Sequence, residues 1–147
     1  MSEASASTPS DQSLPTVIFV DDERDMRKLV SFMLQRRGYR VLTAGDGQEG
    51  LELVKNEHPD VILLDVMMPK MNGQEVLKYL KSDDTTKDIP VIMLSALGAS
   101  KDVAVSQQLG AFCHLEKPYQ AEVLVQTIQK AIAHRSSPEG SSPTPTQ

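Results

Sequence analysis

The chain has 147 residues, of which 39% are apolar and 24% charged, and its net charge is −5. That suits one globular domain, and an acidic balance without any Lys/Arg run argues against a nucleic-acid-binding surface. The single cysteine, Cys113, excludes an internal disulfide, no apolar run approaches the about 18 residues of a bilayer span, and residues 1–15 lack the basic start and apolar core of a signal peptide, so a cytoplasmic protein with no membrane partner is expected.

Residues 1–14 are rich in Ser, Ala and Thr, and residues 136–147 in Ser and Pro. Neither stretch has the apolar content to offset its ordering entropy, so both read as disordered tails around a domain over 15–135. The first strand is expected over Thr16–Val20, and it runs into Asp21-Asp22-Glu23. A helix follows, with Met26, Leu29, Val30, Met33 and Leu34 in one apolar stripe. Gly38 sits where a left-handed cap is wanted. A second strand covers Arg40–Ala44, and a second helix about Gln48–Asn56 turns Leu51 and Val54 inward. Val61–Leu64 is apolar enough to be buried on both faces, and it ends in Asp65. A third helix, Gly73–Lys81, uses Val76, Leu77 and Leu80. The fourth strand, Val91–Leu94, runs into Ser95. The fourth helix, about Lys101–Leu109 between Gly98 and Gly110, is weakly patterned and reads as the least firmly held. A fifth strand over Ala111–Leu115 precedes Lys117-Pro118. The last helix starts near Gln120 and carries Ala121, Leu124, Val125, Ile128, Ala131 and Ile132.

Five strands alternating with five helices imply an α/β fold with right-handed crossovers and a parallel sheet covered on both faces. The expected architecture is a doubly wound, flavodoxin-like (βα)5 sheet of order 2-1-3-4-5. In that order the first and third strands lie side by side at the switch point, bringing Asp21, Asp22 and Asp65 to one crevice. Three carboxylates together need protons or a cation. Hard oxygen donors without Cys or His favour Mg²⁺. A cation there neutralises an incoming phosphoryl group, and Asp65, ending the most buried strand, is the best candidate nucleophile for an acyl phosphate. The bland alternative is an acidic turn that favours a helix N-terminus. Ser95 could hydrogen-bond a phosphoryl oxygen, although lone serines more often cap turns. Lys117 could supply a point charge there, although lone lysines are mostly surface charges. A cis Lys117–Pro118 bond would fix the direction of that amine.

These residues carry a resemblance. Val20-Asp21-Asp22-Glu23, Leu64 to Gly73 (LDVMMPKMNG), Leu94-Ser95-Ala96 and Glu116-Lys117-Pro118-Tyr119 together resemble the receiver domain of two-component response regulators, over about Thr16 to Arg135. The resemblance implies that a histidine kinase or histidine phosphotransfer protein phosphorylates Asp65. It implies that Asp22, Asp65 and the Met67 backbone carbonyl hold Mg²⁺, with Asp21 acting through water. Ser95 and Lys117 would engage the phosphoryl group, in a protein that catalyses only its own phosphorylation and dephosphorylation. The family's rotating aromatic position falls on His114, where Tyr or Phe is usual, and Ser95 stands for the more frequent Thr. His114 as a switch could add pH sensitivity, and a half-buried strand histidine is the competing role. Met67, two past Asp65, is expected to add no side-chain chemistry.

With no segment for an output domain after the last helix, a stand-alone receiver acting through a protein target is expected, through a face including Lys101, Gln107 and Gln108. A phosphorylation-dependent homodimer and a truncated longer chain stay open. So do three rivals. A flavodoxin-like electron carrier would need a phosphate cradle where Asp21-Asp22-Glu23 stands. An Asp-nucleophile phosphatase of the haloacid dehalogenase type would need an Asp-x-Asp spacing that is absent. An inactive pseudo-receiver used for docking would have no need of clustered charge.

Overall fold

The structure, a computed structural model, describes residues 14–96 and 100–136, apart from the side chains of residues 100, 102 and 136. Almost all of both expected tails, and Gly98, lie outside the described residues. The elements alternate in chain order: β1 Thr16–Val20, α1 Arg24–Arg36, β2 Arg40–Ala44, α2 Gly47–Glu57, β3 Val61–Asp65, α3 Gly73–Ser82, β4 Val91–Ser95, α4 Ser100–Gln108, β5 Cys113–Glu116 and α5 Ala121–Ser136. The strands form one parallel sheet of order β2-β1-β3-β4-β5. This is the flavodoxin-like (βα)5 arrangement expected from the alternation.

Side-chain alternation along each strand explains why the central strands are apolar throughout. Ile18, Val20, Ile62, Leu64 and Met93 pack on one face with Leu51 and Val54 of α2 and Val76, Leu77 and Leu80 of α3. Val17, Phe19, Leu63, Ile92 and Leu94 pack on the other with Val30 and Leu34 of α1 and Leu124, Val125, Ile128 and Ala131 of α5. Every residue of β1, β3 and β4 is buried.

Local chemistry sets the ends of the helices. Gly38 adopts φ +95°, and the amides of Gly38 and Tyr39 donate to the carbonyls of Gln35 and Leu34, closing α1 as a left-handed cap does. The Asp46 side chain caps α2 by accepting from the Glu49 amide. Asn72 and Glu75 form a reciprocal capping box on α3.

Two expectations need correction. The fifth strand does not begin at Ala111. The amides of Gly110 and Ala111 turn back onto Gln107 and Ser106 to close α4, so the ladder starts later and runs through Glu116. Leu29 is not part of the buried stripe of α1. It is 62% exposed, while Val30 and Leu34 are buried. Among the described side chains of α4, Ser106 alone is buried, which agrees with its weak pattern.

Candidate functional site

The site lies at the carboxyl edge of the sheet, where β1 and β3 are neighbours and the chain turns to opposite sides. Asp21 and Asp22 leave β1, Asp65 is the last residue of β3, and Ser95 is the last of β4. Backbone bonds tie these ends together. Asp21 N donates to Ala44 O, Val66 N to Leu94 O, and Lys117 N to Ser95 O at 2.7 Å.

Asp21, Asp22 and Asp65 each offer a carboxylate oxygen, and the three oxygens lie within 4.8 Å of one another. Asp21 is fully buried, Asp65 is 4% exposed, and Asp22 is open to solvent. The Lys117 ammonium lies 3.3 Å from Asp65 Oδ2 and 3.7 Å from Asp21 Oδ2. The Lys117–Pro118 bond is cis. Asp21 Oδ1 accepts from the Glu23 amide at 2.8 Å, whereas its buried Oδ2 accepts no hydrogen bond. The Met67 amide donates to Asp65 Oδ1 at 3.3 Å, which brings that peptide against the carboxylate, while the Met67 side chain is 67% exposed.

Burial pushes the Asp65 carboxyl up to about 6, opposed by Lys117 and reinforced by the Asp21 charge. One ammonium therefore does not neutralise this crevice. An all-oxygen donor set with a buried, hydrogen-bond-free carboxylate oxygen beside it fits a hard divalent cation, and the cluster is positioned to hold Mg²⁺.

Ser95 is fully buried, and its hydroxyl lies 2.6 Å from His114 Nε2. The register explains the meeting. Met93 pairs with His114, and Ser95, two residues on, projects from the same face. All the expected site residues thus come to one edge of the sheet, with His114 reaching it through Ser95.

Three contributors were not foreseen. Arg27 donates to the Asp21 carbonyl at 2.7 Å, anchoring the acidic turn from the first helix. Gly73 packs on the Asp65 carbonyl, where any Cβ would overlap that oxygen. The Tyr119 hydroxyl is buried without a hydrogen-bond partner, and burial together with the Asp21 and Asp65 charges pushes it up to about 12. Gly73 had a legible signal in its place directly after the helix-capping Asn72, and Tyr119 stood in the Glu116–Tyr119 motif without an assigned role.

The family model of the response regulator receiver domain matches residues 17–129. The chain belongs to that family. Among its relatives, the probable transcriptional regulator ycf27 of Guillardia theta is 40% identical over 121 residues, covering 82% of this chain and 46% of that protein. The transcriptional regulatory protein CpxR of Escherichia coli K12 is 41% identical over 120 residues, covering 82% and 50%. Among solved structures, the chemotaxis protein CheY4 of Vibrio cholerae superposes with a TM-score of 0.76 at 36% identity, covering 80% of this chain and 98% of that one. A response regulator receiver domain protein from Clostridium thermocellum gives 0.78 at 31% identity, covering 83% and 97%. The chain spans about half the length of the curated relatives it matches. The chain is thus homologous to response regulators of two-component systems, with an acidic cluster positioned for phosphoryl and metal binding. Among the described residues, no helix is long and apolar enough to cross a membrane.

Proposed function

We propose that Asp65 is the phosphoacceptor of this receiver, that the protein is cytoplasmic, and that a histidine kinase or histidine phosphotransfer protein is the donor. The observation that carries the reading is the contact of Asp65 with Lys117, 3.3 Å away, inside a cluster of three carboxylates. An Asp65 oxygen attacks phosphorus, an O–P bond forms, the P–N bond of the donor phosphohistidine breaks, and the leaving imidazole takes a proton. Asp22, Asp65 and the Met67 carbonyl would hold Mg²⁺, with Asp21 contributing through water. When bound, the ion offsets charge on the phosphoryl oxygens. Lys117 pairs with one phosphoryl oxygen and Ser95 hydrogen-bonds another. Asp21 accepts the Glu23 amide, and Arg27 binds the Asp21 carbonyl, so the acidic turn is fixed before the phosphoryl group arrives.

Phosphorylation then shifts the population of a surface that binds a downstream protein or a second copy of the chain. Lys101, Gln107 and Gln108, all exposed on or beside α4, lie on the candidate face. A shift from 1:99 to 99:1 takes about 5.5 kcal/mol, and charge-assisted hydrogen bonds of about 1.5–3 kcal/mol each supply much of it.

Incubation with acetyl phosphate and Mg²⁺, followed by intact mass, tests the assignment. One phosphoryl group should be gained with Mg²⁺, not with EDTA, and not in Asp65→Ala. Acyl phosphate persisting in Asp65→Ala would move the nucleophile elsewhere.

A further inference from the structure

The contact between Ser95 and His114 constrains more than packing. A serine hydroxyl has one proton, and phosphoryl oxygens only accept. If Ser95 donates to His114 Nε2, it has no proton left for a phosphoryl group. If Nε2 carries the proton and donates to Ser95 Oγ, the hydroxyl proton is free for the phosphoryl oxygen. The 2.6 Å separation places the two atoms within hydrogen-bond reach, and the direction depends on the tautomer.

We propose that His114 is a positioning residue for Ser95, and that the phosphorylated receiver keeps this hydrogen bond but runs it from imidazole to hydroxyl to phosphoryl oxygen. The inference rests on Asp65 as phosphoacceptor. Its geometric basis is independent of that assignment. Ser95 is fully buried, its carbonyl is held by the Lys117 amide at 2.7 Å, and His114 reaches it from the neighbouring strand of the same sheet. The backbone at Ser95 is therefore fixed, and the hydroxyl proton is the part of this contact that can be redirected without moving a strand. In a neutral imidazole one proton leaves Nδ1 and one joins Nε2, so the total number of protons is unchanged. A Phe at position 114 has no such donor, which separates this chain from one with a purely steric aromatic residue there.

The full chain, labelled with ¹⁵N at histidine, tests this by imidazole NMR before and after acetyl phosphate and Mg²⁺, with intact mass run on the same sample. The expected result is that the His114 Nε2 resonance changes from the acceptor type before phosphorylation to the protonated, donor type after it, and that this change is lost in Ser95→Ala. A phosphorylated sample whose Nε2 is of the same type as before phosphorylation overturns the proposal while leaving Asp65 as acceptor. A sample that gains no mass removes both. A double-mutant cycle on the phosphorylated lifetime adds a second readout, in which His114→Gln, which keeps an N–H donor, should retain the coupling to Ser95 that His114→Phe loses. Ser95→Ala should change the lifetime about fivefold more in the native chain than in His114→Phe. Equal effects in the two backgrounds overturn the coupling.

Discussion

At the scale of single residues, the chemistry of the site follows from one imbalance. Asp65 sits at the end of a strand with no exposed residue, so its charge is poorly hydrated, and one lysine does not compensate. The sign of the resulting pH dependence is set by linkage. Between the ordinary carboxylate value near 4 and about 6, the folded chain keeps a proton on Asp65 that the unfolded chain has released. Without metal, stability therefore declines as pH rises through that window and levels off above it. Asp65→Asn should lose this decline and be more stable than the native chain by about 1–2 kcal/mol at pH 7, a figure reduced for water reaching the open crevice. Urea unfolding in EDTA at pH 4, 5, 6 and 7 measures both curves. Parallel curves would show that Asp65 is not the group responsible. Lys117→Ala removes the partner that opposes burial, so its Asp65 should titrate still higher. Carboxyl NMR on the metal-free variant reads that directly, and an unchanged midpoint would contradict the 3.3 Å contact.

At the scale of elements, the most demanding junction is the turn from β3 into α3. Gly73 opens that helix with its amide on the Val66 carbonyl at 2.9 Å and its α-carbon against the Asp65 peptide. Gly73→Ala pushes a methyl group into the Asp65 carbonyl and should cost about 2–4 kcal/mol, with phosphorylation lost alongside because the acceptor is displaced. Gly38→Ala is the contrasting case. Open space surrounds its Cβ position, and only φ +95° opposes it, so about 1–2 kcal/mol is expected with phosphorylation intact. Thermal unfolding and the mass assay on both variants separate the two. The same junctions show what the sequence could tell. Val61–Leu64 and Val91–Leu94 were legible because burial on both faces forces continuous apolar runs. Asp65 and Ser95 were legible because they interrupt those runs. Leu29 was misleading because a helical stripe has margins, and periodicity does not say which margin a neighbouring element covers. Ala111 was misplaced because closure of α4 by Gly110 and Ala111 competes with strand pairing for the same amides. Arg27 carried no signal, and Tyr119 was legible only as the last residue of the Glu116–Tyr119 motif and not by its role, since contacts across the sheet edge have no periodicity of their own.

At the scale of the whole molecule, the fold itself fixes the repulsion. β1 and β3 are hydrogen-bonded neighbours buried on both faces, so the acids they carry cannot move apart without opening the core. Fully ionised, Asp21, Asp22 and Asp65 carry three negative charges against one on Lys117, leaving two, and a divalent cation balances that remainder. Binding to the folded chain alone stabilises it by RT ln(1 + [L]/Kd), about 2.7 kcal/mol at a hundredfold excess over Kd. For a domain of this size that is a rise of roughly 10 °C in Tm. The rise should be larger at pH 7 than at pH 5, because the ion competes with the proton held on Asp65. It should shrink strongly in Asp22→Ala, whose exposed carboxylate can be removed without a cavity. Scanning calorimetry with MgCl₂ against NaCl at equal ionic strength discriminates the cause. A rise of the same size with NaCl would mean that screening relieves a diffuse acidic surface, and the crevice would not be a metal site.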